Sequence, residues 1–171
     1  TIVALGADLP SAPRDIDASG LLVMPGGIDV HTHLDMPVGD IATADDVASG
    51  TRAATAGGVT AIVDFAVQPA GRSLSSTIAT WQAKAHGNAW IDYAFHVAVT
   101  DWSDAVRREI PELVAAGYPT FKAFMAYRGA LMLEDRDLID LMGSVGAAGG
   151  MILVHCEHGD AIDHLQRRAL V

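Results

Sequence analysis

Four nitrogen-bearing side chains stand where apolar, strand-like segments end. Two of them belong to Asp29-Val30-His31-Thr32-His33. In extended chain, residues two apart point to the same side, so both imidazoles can reach one ion. Neutral imidazole is a good ligand for zinc and similar divalent metals. A His-x-His pair is common by chance, and its place at the carboxyl end of a first strand is what strengthens the signal. The other two are Lys122, in Thr120-Phe121-Lys122-Ala123-Phe124-Met125-Ala126-Tyr127, and His155, in Leu153-Val154-His155-Cys156-Glu157. A lysine inside an apolar strand is costly when charged, so its pKa should fall and its neutral amine become nucleophilic. Taken alone, that lysine is better read as one half of an ion pair with a nearby carboxylate. If the strands are neighbours, all four groups can converge on one mouth.

The elements that must position them alternate between strand-like and helix-like patterns. After an irregular opening over 1–19, which contains Pro10 and Pro13, strand candidates are Leu22 to His31, Thr60 to Ala66, Ile91 to Val99, Thr120 to Met125 and Met151 to His155. Their apolar, β-branched content reads as strands buried on both faces, as in parallel sheets. Helices are expected over 44–56, 74–86, 102–116 and 134–148, with another opening near Gly159. Gly57–Gly58, Gly87, Gly117 and Gly149–Gly150 fall between each helix and the next strand, where glycine supplies a left-handed cap. Helix starts carry acids or hydroxyls: Thr43 with Asp45 and Asp46, Ser73 with Ser75, Glu134 with Asp135. The expected class is α/β, with about the first five βα units of a (β/α)8 TIM-type barrel. A doubly wound sheet is the fold alternative, but no glycine-rich phosphate fingerprint follows the first strand.

Composition narrows the function classes. The 171 residues are 50% hydrophobic and 19% charged, as in a globular chain with a sizeable core. The formal charge is 11 − 21 = −10, with no basic run to neutralise phosphates, so nucleic acid is a poor partner. Cys156 is the only cysteine, which rules out an intrachain disulfide and all-thiolate zinc and favours a reducing, cytoplasmic setting. No apolar run approaches the roughly 20 residues of a membrane span, and no basic-then-apolar leader opens the chain. Thr1 is not an initiator Met, and 161–171 read as helix without a stop signal, so a fragment is expected.

The stretches Pro25-Gly26-Gly27-Ile28-Asp29-Val30-His31-Thr32-His33-Leu34, Val63-Asp64-Phe65-Ala66, Phe121-Lys122-Ala123-Phe124-Met125-Ala126-Tyr127 and Val154-His155-Cys156-Glu157-His158-Gly159-Asp160-Ala161-Ile162 closely resemble the dihydropyrimidinase and hydantoinase family of cyclic amidohydrolases. The likeness runs through nearly the whole chain in order. It implies a metal-dependent amidohydrolase barrel, 21–171 being its first part and 1–20 the remnant of an N-terminal β-sandwich-type segment. It implies two divalent metals, usually zinc, with His31 and His33 matching ligands of the first and His155 a ligand of the second. Lys122 matches the lysine whose carbamate, formed from CO2, bridges both, and Tyr127 matches the tyrosine that hydrogen-bonds the substrate carbonyl. The implied reaction is hydrolysis of dihydropyrimidines or 5-substituted hydantoins to N-carbamoyl amino acids by a metal-activated water. The implied partner is a small cyclic ureide or imide, and relatives of full length are commonly tetramers. A sixth-strand histidine and an eighth-strand aspartate expected from the family have no counterpart before the chain ends, so the chain alone should have little or no activity.

Other residues carry plainer readings. Cys156 should point away from His155 and serve as a structural thiol, and His158 should cap the next helix or line the rim. His96 reads as a satisfied core or ligand-supporting residue, and His86 and His164 as surface residues. Asp64 either orients a ligand histidine or is a buried aspartate bonded to backbone amides. Trp81, Trp90 and Trp102 read as packing residues, and the resemblance places substrate-gating loops at Met36 to Gly39, Val67 to Gly71 and Met125 to Arg128. Two rivals to the hydrolase remain. A dihydroorotase would place an arginine two residues after the second histidine, where this chain has Asp35, whereas an allantoinase is harder to dismiss. A non-catalytic scaffold is disfavoured by the presence of His31, His33, Lys122 and His155.

Overall fold

The structure, a computed structural model, describes residues 2–170; Thr1 and Val171, at the outer limits of the two expected segments, lie outside the described residues. The main sheet has five strands, all parallel: β1 (Gly27–Thr32), β4 (Val59–Val67), β5 (Asp92–Ala98), β6 (Thr120–Phe124) and β7 (Met151–His155), in that spatial order. Helices α1 (Val47–Ala56), α2 (Leu74–Ala85), α3 (Asp104–Ala115), α4 (Asp135–Ala147) and α5 (Gly159–Ala169) follow the strands in turn. The expected α/β class is observed, and the sheet is the first five βα units of a barrel. Each of α2, α3 and α4 packs on the helix before it, so these helices form a continuous layer. Among the described residues, no helix is long and apolar enough to cross a membrane.

Local chemistry sets the helix ends. Asp46 caps α1 in a reciprocal box with Ser49, and Ser73 and Ser103 accept from Ser76 and Val106 amides. Glu134 makes no side-chain cap bond, and α4 relies on Asp135 and Asp137 in its first turn. The glycines expected to end helices, Gly58, Gly87, Gly117 and Gly149, have φ between 77° and 95°.

Alternation along the strands sorts the side chains. On β5 and β6, Val97, Phe121 and Ala123 join the core against α2, α3 and α4. Their neighbours His96, Lys122 and Phe124 take the other face. On β4, Ala66 packs with Trp81 and Ala85 of α2, which leaves Phe65 to the same face as Lys122.

Four expectations need correction. The first strand begins at Gly27, not Leu22: Leu21, Leu22, Val23 and Met24 are 70–88% exposed, and Pro25 has no N–H to donate. Residues 2–26 form neither strand nor helix. Burial on both faces holds for the middle of the sheet alone, because β1 and β7 are its edges; Ile28 and Val30 lie 66% and 58% exposed. The expected loop at 36–39 contains part of a small antiparallel pair, β2 (Pro37–Val38) with β3 (Ile41–Ala42). Trp90 is exposed and does not pack, whereas Trp81 is buried and Trp102 rests on the core and donates to Asp140.

Candidate metal centre

The sequence-predicted donors meet around two phenylalanine rings. Phe65 is 1% exposed, and the imidazoles of His31 and His33 lie 4.6 and 4.8 Å from its ring, 5.2 Å from each other. Lys122 comes from the other side, its Nζ 5.9 Å from the Phe65 ring and 5.2 Å from that of Phe124. His155 leans on Phe124 at 6.0 Å, two register steps above the Lys122–Leu153 pair. Lys122 therefore stands between the His31–His33 pair and His155. The four donors share one face but do not form a single cluster: among the described residues, no three His, Cys, Asp or Glu side chains form a group able to hold an ion. His155 Nε2 is instead engaged by Glu157 Oε2 at 2.5 Å, with the Tyr127 hydroxyl at 3.5 Å.

The protonation state of His33 suits cation binding. Burial holds the pKa of His33 below its ordinary value, and His31 and Lys122 add to the effect, so the ring is neutral near pH 7. His33 Nδ1 is buried without a hydrogen-bond partner among the described residues. Such an orphan costs about 1–3 kcal/mol unless something occupies it, and a divalent cation is a fitting occupant for an imidazole lone pair. Lys122 is 7% exposed, and burial lowers its pKa. It has no carboxylate within ion-pair distance among the described residues, so the ion-pair reading of this lysine is overturned. The donors present thus fit two imidazoles of one cation site, a reactive amine and one imidazole of a second site, with no carboxylate ligand supplied by the unmodified chain.

Asp64 takes the second of its two readings. It faces the helix side of β4, accepts from the Leu34 and Phe65 amides, and has no imidazole partner. Phe65 occupies the imidazole side, and period-two alternation excludes Asp64 from it. Burial raises its pKa to about 6 against those hydrogen bonds. His158 is the N-cap of α5, its Nδ1 accepting from the Ala161 amide, which is the capping role expected of it. Cys156 is exposed and so not a core thiol. His96 is buried and doubly bonded, and burial lowers its pKa; His86 and His164 are exposed. Sequence reasoning missed the two phenylalanines that seat the donors, although alternation from Asp64 and Lys122 would have pointed to them. It also missed the Lys84 amine, which donates to the Asp35 carbonyl at 2.7 Å and pairs with its carboxylate, bracing the left-handed turn after His33.

Tyr127 follows β6 with φ of 66°, a conformation that costs a non-glycine residue about 1 kcal/mol. Its carbonyl accepts from the Ala130 and Leu131 amides, so the turn that places its ring 5.2 Å from His155 is held by hydrogen bonds.

The geometry is thus a parallel βα sheet with a His-x-His pair at the end of β1 and a buried lysine on β6. The chain belongs to the amidohydrolase family, whose model matches residues 22–170. Within it, the chain is similar to D-hydantoinase of Streptomyces coelicolor, 46% identical over 96% of this chain and 35% of the relative. It is 42% identical to the dihydropyrimidinase of Rattus norvegicus, over 93% of this chain and 32% of that one. A solved D-hydantoinase structure superposes with a TM-score of 0.94 at 42% identity, covering 96% of this chain and 36% of its own. The chain thus spans about a third of the length of the relatives it matches.

Proposed function

We propose that the whole protein hydrolyses the cyclic amide bond of dihydropyrimidines or 5-substituted hydantoins, giving N-carbamoyl amino acids. This chain would contribute most of a two-metal centre. The observation that carries the reading is the seating of His31, His33 and Lys122 around Phe65, with a neutral, partnerless imidazole nitrogen and an amine freed of any carboxylate. His31 and His33 would hold one divalent ion, zinc by preference, and His155 the other. Lys122 is suited to carboxylation: its neutral amine adds to CO2, forming an N–C bond and releasing one proton, and the ammonium that would repel cations becomes an anionic donor. When bound, the ions supply Lewis acidity and an activated water. Tyr127, half-exposed at the same mouth, would donate its hydroxyl to the substrate carbonyl and orient the ring for attack. His155 must leave Glu157 to serve as a ligand, which makes Glu157 a competitor for that nitrogen.

Residues 1–20 we assign to the remnant of an N-terminal β-sandwich-type segment. A cytoplasmic location is supported by the single free thiol, and a homotetramer by the resemblance to full-length relatives. The Asp35 turn, clamped by Lys84, disfavours a substrate with a free carboxylate such as dihydroorotate; allantoin is the closer rival. Metal analysis and assay of the complete gene product with dihydrouracil, 5-substituted hydantoins and allantoin test this reading. Ring opening of dihydrouracil or hydantoins, lost in Lys122→Ala together with the metal, is expected. A metal-free, inactive full-length protein would favour a scaffold.

A further inference from the structure

His96 sits on β5, two strands away from β1, yet its Nε2 lies 3.0 Å from the Val30 carbonyl. That carbonyl belongs to an irregular stretch of β1: Asp29 pairs with Ile62 and Thr32 with Asp64, so three steps on one strand face two on the other. Such a bulge takes a residue out of the regular ladder and re-aims its neighbours. Here the neighbour is His31. The other ring nitrogen, Nδ1, lies 2.8 Å from the Thr120 hydroxyl, two residues before Lys122 on β6. A carbonyl only accepts, so Nε2 carries the proton and Nδ1 accepts from Thr120. The ring also packs 4.9 Å from Phe65, under the two imidazoles. One buried side chain thus ties the residue before His31 to the strand that carries Lys122.

We propose that His96 is a positioning residue of the centre: its bond to the Val30 carbonyl fixes the β1 bulge, and with it the placement of the His31–His33 pair relative to Lys122. The inference rests on the metal-centre reading above. Two amide substitutions separate it from a plain core role. In His96→Gln the amide nitrogen reaches about as far as Nε2 and keeps a donor for Val30. In His96→Asn the shorter amide reaches only as far as Nδ1, keeping Thr120 and losing Val30.

The test is zinc affinity of the complete gene product, by competition with a chromophoric chelator, together with the melting temperature of the metal-free form. His96→Asn should weaken zinc about 10–100-fold, the range typical of lost ligand-supporting contacts, and His96→Gln less than about tenfold. Both variants should lower the metal-free melting temperature alike, since each loses one hydrogen bond. Equal zinc losses in the two, or unchanged affinity in His96→Asn, would overturn the proposal. If His96→Asn does not fold, Thr120→Val and His96→Gln carry the test together, because both give up the Thr120 contact and keep the one to Val30. Both should hold zinc within about tenfold of wild type, and a larger loss in either would be equally fatal. A wild-type protein that binds no zinc removes the metal reading itself, before any variant is compared, and this inference with it.

Discussion

Asp64→Asn should change the pH dependence of stability by an amount the structure sets. The carboxyl is 3% exposed, and its pKa is raised from 3.8 to about 6 because burial outweighs the bonds from the Phe65 and Leu34 amides. The folded chain therefore holds this proton more tightly than the unfolded one. Stability from Asp64 is fully present below pH 3.8, is lost as pH rises towards about 6, and stays lost above it. Roughly two pH units at about 1.4 kcal/mol each make this about 3 kcal/mol. Asparagine is neutral throughout and its Oδ1 can keep both amides, but its N–H groups replace the oxygen that also faces the Leu34 amide, at a cost of about 1 kcal/mol. Near pH 4 the variant should be less stable than wild type by about 1 kcal/mol, and near pH 8 more stable by about 2 kcal/mol. The assay is urea unfolding followed by circular dichroism, with chelator present so that no ion at the adjacent histidines contributes. Only the difference between the two curves matters, since other titrating groups are common to both. Stability curves that run parallel from pH 4 to pH 8 would refute the argument that Asp64 is buried against its charge.

Other perturbations have distinct signatures. Phe65→Ala removes the ring on which His31, His33, His96 and Lys122 converge; it should cost about 3–5 kcal/mol and abolish zinc retention, as read by denaturant melts and metal analysis. Tyr127→Gly should raise stability by about 1 kcal/mol by relieving the left-handed backbone, while the complete enzyme loses turnover; a destabilised variant would mean that the ring's packing outweighs the strain. Ser103→Ala should lower stability by about 1 kcal/mol through the lost α3 cap, with zinc affinity unchanged. The isolated chain, given zinc and bicarbonate, should not turn over dihydrouracil, and brisk ring opening would defeat the view that its ligand set is incomplete.

The order of elements, and which nitrogen-bearing residues stand at the strand ends, were legible in the residues alone. Period-two alternation at His31 and His33, a lysine set between apolar neighbours, capping serines and aspartates, and glycines after helices are local signals, and local backbone sterics honoured them. β6 and β7 began where their apolar runs began, because each had a partner strand to satisfy its backbone groups. Leu22 to Met24 carried the same apolar signal and formed no strand, because hydrogen-bonding partners are a property of neighbours and not of composition. Contacts between residues far apart in the chain were likewise beyond the sequence. That Asp64 serves backbone amides instead of an imidazole, that Glu157 occupies His155, and that His96 reaches across to Val30 each depend on which face of which strand meets which neighbour. Side-chain type sets what a group can bind; only the packed sheet decides what comes within reach of it.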